Sequence, residues 1–154
     1  MVPVQKAFET IAFAKVSSSA HEAKKLGYLR RDNPIVLSRQ HQIAVAKEMV
    51  LTLSADYKPT LPPDLLLPGE GGRLAIEVAV KGFLKAGTIS EHDALIANGL
   101  ARVLTGGDRA NGIDPVDEQY LLDLEREVFV SLAGEAKSQE RMGHMLKTGK
   151  PLRN

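Results

Sequence analysis

Four of the chain's eight prolines fall between Pro59 and Pro68. Each one removes a backbone donor and fixes φ, so neither a helix nor a central strand can run through that stretch. The sequence therefore divides into an N-terminal segment over 1–58, a Pro/Gly-rich linker over 59–72 and a C-terminal segment over 73–154. On either side of the linker the apolar residues recur at helical spacing, and glycines stand where the periodicity stops.

Phe8, Ile11 and Ala12, with Gln5, Lys6 and Glu9 opposite, predict a first helix over 4–14. Ser19, Ala20, His21 and Glu22 form a capping-box pattern that opens a short helix to Leu26, stopped at Gly27. Tyr28 to Pro34 reads as a turn, and Ile35, Val36 and Leu37 as a short extended piece. Ser38 is placed to cap a longer helix from Arg39 to about Leu53, with Ile43, Ala46, Val50 and Leu53 on its buried face.

Beyond the linker, Gly69 to Gly72 reads as a turn before an amphipathic helix over 73–86. Arg73, Glu77, Lys81 and Lys85 lie on one side of it, and Ile76, Val80, Phe83 and Leu84 on the other. Gly87 ends that helix; Ser90 and Asp93 make a weaker capping pair for the next, which Leu95, Ile96, Leu100, Val103 and Leu104 carry to Gly106. The two should form a hairpin. Asp114 and Pro115 then open a long helix to about Leu132, its core stripe being Leu121, Leu124, Val128 and Leu132. After Gly134 a last helix over 136–148 carries Met142, Met145 and Leu146 and stops at Gly149 and Pro151. The expected fold class is all-α, with about six helices and no internal repeat.

A length of 154 residues is enough to bury a sizeable core, and 44% hydrophobic with 25% charged residues is an ordinary globular balance. The formal net charge of +1 gives no strong field for nucleic acid or anionic lipid. No apolar run reaches the roughly 18–20 residues of a membrane span, and no signal-peptide order is present, so the expected location is cytoplasmic. The absence of cysteine excludes disulfides, thiolate nucleophiles and cysteine-ligated metal.

Candidate chemistry is sparse. His21, His41, His92 and His144 fall in four separate predicted helices, and only His144 has a second potential ligand one turn away, Glu140. Pro68 to Arg73 could present helix N–H groups to an anion, but it lacks the lysine and hydroxyl of a P-loop and the spacing of GxGxxG, so it reads as a hinge. Thr105, Gly106, Gly107 and Asp108 read as a helix stop and turn. Asp114, Asp117, Glu118, Asp123, Glu125 and Glu127 make an acidic stretch, and Lys137, Arg141, Lys147, Lys150 and Arg153 a basic one. Spacing assigns no catalytic or metal residue, and leaves cofactor-binding residues unidentified.

Phe8 to Ala12 followed by Ser19, Ala20, His21, Glu22, Ala23, Lys24, Lys25, Leu26, Gly27, Tyr28 and Leu29 resembles the S-A-x-E-A-x-x-L-G-L-V segment of the crotonase (enoyl-CoA hydratase/isomerase) superfamily. A wider set resembles the C-terminal region of bacterial multifunctional 3-hydroxyacyl-CoA dehydrogenases. It comprises Lys15 to Ala20, the proline-rich linker, Glu91 to Ala94, Leu104 to Asp108, Leu121 to Glu127 and the ending Gly149, Lys150, Pro151, Leu152, Arg153, Asn154.

That resemblance implies a helical, structural and assembly-forming part of an oxidoreductase of lipid metabolism, acting in fatty-acid β-oxidation. It implies NAD and acyl-CoA for the parent enzyme and no cofactor in this chain. The Rossmann fingerprint, the dehydrogenase His and Glu pair and the crotonase glutamates would all precede Met1, so no family catalytic residue falls on these positions. Met1, Val2, Pro3 and Val4 lead straight into a helical pattern with no cap, which fits a piece cut from a larger protein and also a natural start. The expected partners are the upstream dehydrogenase and crotonase parts and further copies in a homo-oligomer, with apolar helix faces exposed when they are missing. The alternative is a stand-alone helical protein–protein interaction module; an enzyme whose Glu and His residues meet only in the fold is weaker, because no spacing argues for it.

Overall fold

The computed structural model describes residues 2–154. The order is α1 (Val2–Ala12), α2 (Ala20–Leu26), a 3-10 turn (Arg39–His41), α3 (Gln42–Ser54), α4 (Gly69–Lys85), α5 (Glu91–Leu104), α6 (Glu118–Ala133) and α7 (Ala136–Thr148). The all-α expectation is borne out, with seven helices rather than about six and no strand among the described residues. The extended pairing that does occur is an antiparallel bridge between Leu65 and Val116, with N–H···O distances of 2.9 and 3.0 Å. No helix among the described residues is long and apolar enough to cross a membrane.

The chain forms two compact units, one comprising the residues up to Phe13 together with Pro62–Asn154, the other Ala14–Leu61. In the first, Phe8 of α1 meets Ile76 and Val80 of α4 and Ala94 and Ala101 of α5, with Val4, Ile89, Ala97, Leu100 and Leu104 packed around them. Ala94, Ala97 and Ala101 recur at helical spacing, so that face of α5 carries little bulk and its neighbours approach closely. α5 touches α1, α4 and α6, and α7 continues from α6. The expected α4–α5 hairpin is present. Along α6, Leu124 is buried and Leu121, Val128 and Leu132 are half-buried, as the stripe required.

Two boundaries in this unit differ from expectation. The glycine-rich turn over 69–72 is instead the first turn of α4. Glycine is a poor helix former, but here tertiary packing decides: Gly69 sits at φ +62 with its N–H donated to the Thr105 carbonyl at 2.9 Å, and a Cβ there would lie 2.0 Å from the Ala110 oxygen. Likewise, α6 starts at Glu118 and not beside Pro115, because Val116 is buried and committed to Leu65. Asp117 is the cap instead, its carboxylate accepting from the Tyr120 N–H at 2.7 Å.

The second unit holds α2 and α3. Gly27, at φ +93, stops α2 as expected, its N–H returning to the Ala23 carbonyl at 3.0 Å. Only half of the expected capping box forms: Ser19 Oγ accepts from the Glu22 N–H at 3.2 Å, while the Glu22 carboxylate turns to the N–H and hydroxyl of Ser18. Those two Ser18 bonds hold the Glu22 carboxyl below its ordinary range. Ser38 makes no capping bond, and the chain passes through the 3-10 turn before α3.

A larger correction concerns the α3 face expected to be buried. Ile43 is 84% exposed, Val50 64% and Leu53 67%, and Ala46 is exposed too. Within the second unit, Ile43, Val50 and Leu53 stay uncovered. Since Phe8 is buried and Ile43 is not, Phe8→Ala should cost about 3–5 kcal/mol and Ile43→Ala less than about 0.5 kcal/mol, read from urea unfolding of the chain.

Candidate functional site

The best-formed polar cluster lies where the start of α5 meets α7. Ser90 and Asp93 make the full reciprocal box there: Ser90 Oγ accepts from the Asp93 N–H at 3.1 Å, and Asp93 Oδ2 from the Ser90 N–H at 3.0 Å. The pair therefore does more than the weak cap its spacing suggested. Arg141 of α7 donates to Asp93 Oδ1 at 2.7 Å and to Ser90 Oγ at 3.4 Å. The same guanidinium holds Asn154 twice, at Oδ1 (2.8 Å) and at the main-chain oxygen (3.2 Å). Partial burial pushes the Asp93 carboxyl up, but the Ser90 N–H, the Arg141 and Ser90 hydrogen bonds and the Arg141 charge together bring it below its ordinary range.

One residue along, His92 is buried, and its Nε2 lies 3.0 Å from Ser138 Oγ. A hydroxyl beside an imidazole is the geometry of an activated nucleophile. The acid adjacent in sequence, however, is already engaged at both oxygens, by Arg141 and Ser90. We read the His92–Ser138 contact as a packing bond between α5 and α7. His21 and His41 are exposed. Glu140, the potential ligand partner of His144, instead accepts from Asn154 Nδ2 at 2.7 Å. No group of three or more His, Asp or Glu side chains among the described residues is arranged to hold a metal ion.

A second cluster occupies the opposite end of the α4–α5 hairpin. Arg73, at the run weighed as an anion cradle, faces Asp108 at 3.4 Å and Glu77 at 3.6 Å. Arg102 pairs with Glu127 at 2.8 Å and Asp108 at 3.6 Å, the Glu127 bond pushing the Arg102 guanidinium further above its already high value. Asp108 thus supplies the negative charge that an anion would bring. Nearby, the Arg109 guanidinium stacks 4.4 Å over the Tyr120 ring, whose hydroxyl donates to the Gly106 carbonyl at 3.1 Å.

Four of the six acids in the acidic stretch are likewise engaged locally. Asp114 accepts from Asn111, Asp117 caps α6, Asp123 pairs with Arg126 and Glu127 with Arg102. What remains is surface. In the second unit Ala20, Pro34, Ile35, Val36, Gln42, Ala46 and Met49 line an open cleft of about 320 Å³ beside the exposed face of α3. In the first unit Leu122, Phe129 and Val130 of α6 and Met142, Met145 and Leu146 of α7 are exposed.

Comparison with known proteins adds a reference. No protein-family model matches the chain, and no solved structure does. Over 155 aligned positions it is 45% identical to a probable 3-hydroxyacyl-CoA dehydrogenase of Bacillus subtilis (strain 168), an alignment covering 100% of this chain and 20% of that protein. The chain spans one fifth of the length of the relative it matches.

Sequence spacing missed the Arg141 cluster because its members come from three separate segments, around 90–93, at 141 and at 154; the local signal was the Ser90–Asp93 cap. Arg141→Met should lower stability by about 1–2 kcal/mol at pH 7, because both charged side chains keep some contact with water. With the Asp93 carboxyl lowered in the folded state, that contribution is full above its unfolded value of about 4 and fades as pH falls through the folded one. Urea midpoints for both proteins should therefore converge on acidification from pH 5 to pH 2.

Proposed function

We propose that this chain is the C-terminal helical portion of an NAD-dependent 3-hydroxyacyl-CoA dehydrogenase of fatty-acid β-oxidation, fused to an enoyl-CoA hydratase module of the crotonase type. The observation that carries the reading is the 45% identity running along the whole chain while covering one fifth of a dehydrogenase. The crotonase-like segment from Ser19 to Leu29 supports the hydratase part. In this reading NAD and acyl-CoA are bound by the upstream parts of the same cytoplasmic polypeptide. The role of the present helices is structural: they complete the crotonase module and help the enzyme assemble as a homo-oligomer.

Two observations support a structural role. The ion pairs Arg73–Asp108, Arg102–Glu127 and Arg141–Asp93 stand at the two ends of the α4–α5 hairpin, and the apolar face of α3 is exposed. The reading frame upstream of Met1 should be open and encode a nucleotide-binding glycine motif. The whole polypeptide should reduce NAD with 3-hydroxybutyryl-CoA and hydrate crotonyl-CoA, while the 154-residue chain should do neither. Turnover by the short chain at enzyme-like rates would overturn the proposal, and a stop codon directly upstream would favour the stand-alone interaction module.

A further inference from the structure

The second unit lacks a core of its own. Among the described residues of Ala14–Leu61 only Ala23 is buried. Between Gln42 and Ser54 the charged residues are Lys47 and Glu48 alone, and the other positions are mostly apolar. A thirteen-residue helix of this kind is marginal in water without tertiary support. Leu51 and Leu53, both exposed, lie about 160° apart around the axis at 3.6 residues per turn. The cleft lined by Ala46 and Met49 lies on the Leu53 side of the helix, and Pro34, Ile35 and Val36 line it too.

This distribution selects among occupants. A symmetric pairing of α3 with a second copy would cover one seam, which cannot reach both Leu51 and Leu53. A helix apolar on several sides belongs inside a folded body. The relative supplies such a body, since four fifths of its length lies outside the region that the chain matches. Being on the same polypeptide, that body meets α3 at high effective concentration.

We infer that residues 14–61 dock with α3 inserted into an apolar groove of the preceding part of the same polypeptide, and that the Ala46–Met49 cleft receives one of its apolar side chains. This rests on the reading of the chain as part of a longer dehydrogenase. It adds which segment docks, and that this segment becomes stable only on docking, whereas the unit holding α4 and α5 has a buried cluster of its own.

Amide hydrogen exchange tests it on the 154-residue chain and on the whole polypeptide. Residues 43–53 should exchange about 100-fold or more slowly in the whole polypeptide than in the chain, while amides around Val80 and Ala101 differ little. Unchanged exchange at 43–53 in a whole polypeptide that carries dehydrogenase activity overturns this inference and leaves the proposed function standing. The lack of any upstream dehydrogenase sequence overturns both. Protection of 43–53 in the short chain that rises with its concentration assigns the face to a second copy and overturns the inference.

Discussion

The first unit depends on the thinness of one face of α5. Ala94 and Ala101 are buried between the larger Phe8, Ile76 and Val80, so dispersion contacts form at short helix separations that bulkier side chains would prevent. The same approach continues at the end of α5, where Thr105 is fully buried. Its hydroxyl donates to the Ala101 carbonyl at 2.8 Å, and its own carbonyl accepts the Gly69 N–H at 2.9 Å. Side-chain economy on one helix thus fixes where its neighbour must begin.

Around that apolar centre the charges act as end clamps. Arg141 ties α7 and Asn154 to the start of α5, and Arg73 and Arg102 gather Asp108 and Glu127 at the other end. Each of these cations faces a carboxylate of the same unit, which fixes the two ends of the hairpin against their neighbours.

Local signals were readable wherever structure is decided within a few residues. Gly27 and Gly149 stop α2 and α7 where the sequence placed the stops, and the stripes of α4 and α6 supply core residues. The readings that differed depended on distant contacts. Pro115 is a fair helix opener, but Leu65 claims Val116, and the glycines at 69–72 form a helix because Thr105 and Ala110 crowd against them. Arg141 looked like one member of a basic tail, since nothing near it in sequence announces Asp93. The face of α3 is apolar but exposed, because periodicity shows where a stripe lies and not whether anything covers it.

The bridge between Leu65 and Val116 ties together the two ends of the stretch that contains α4 and α5. Everything between those residues is a closed circuit, with α6 and α7 attached on one side only. Closing such a circuit lowers the entropy of the enclosed segment once, and the hairpin contacts within it then form at short effective range. A backbone nick in the Gly106–Gly112 loop would consequently leave two pieces held by this pair and the α5–α6 packing.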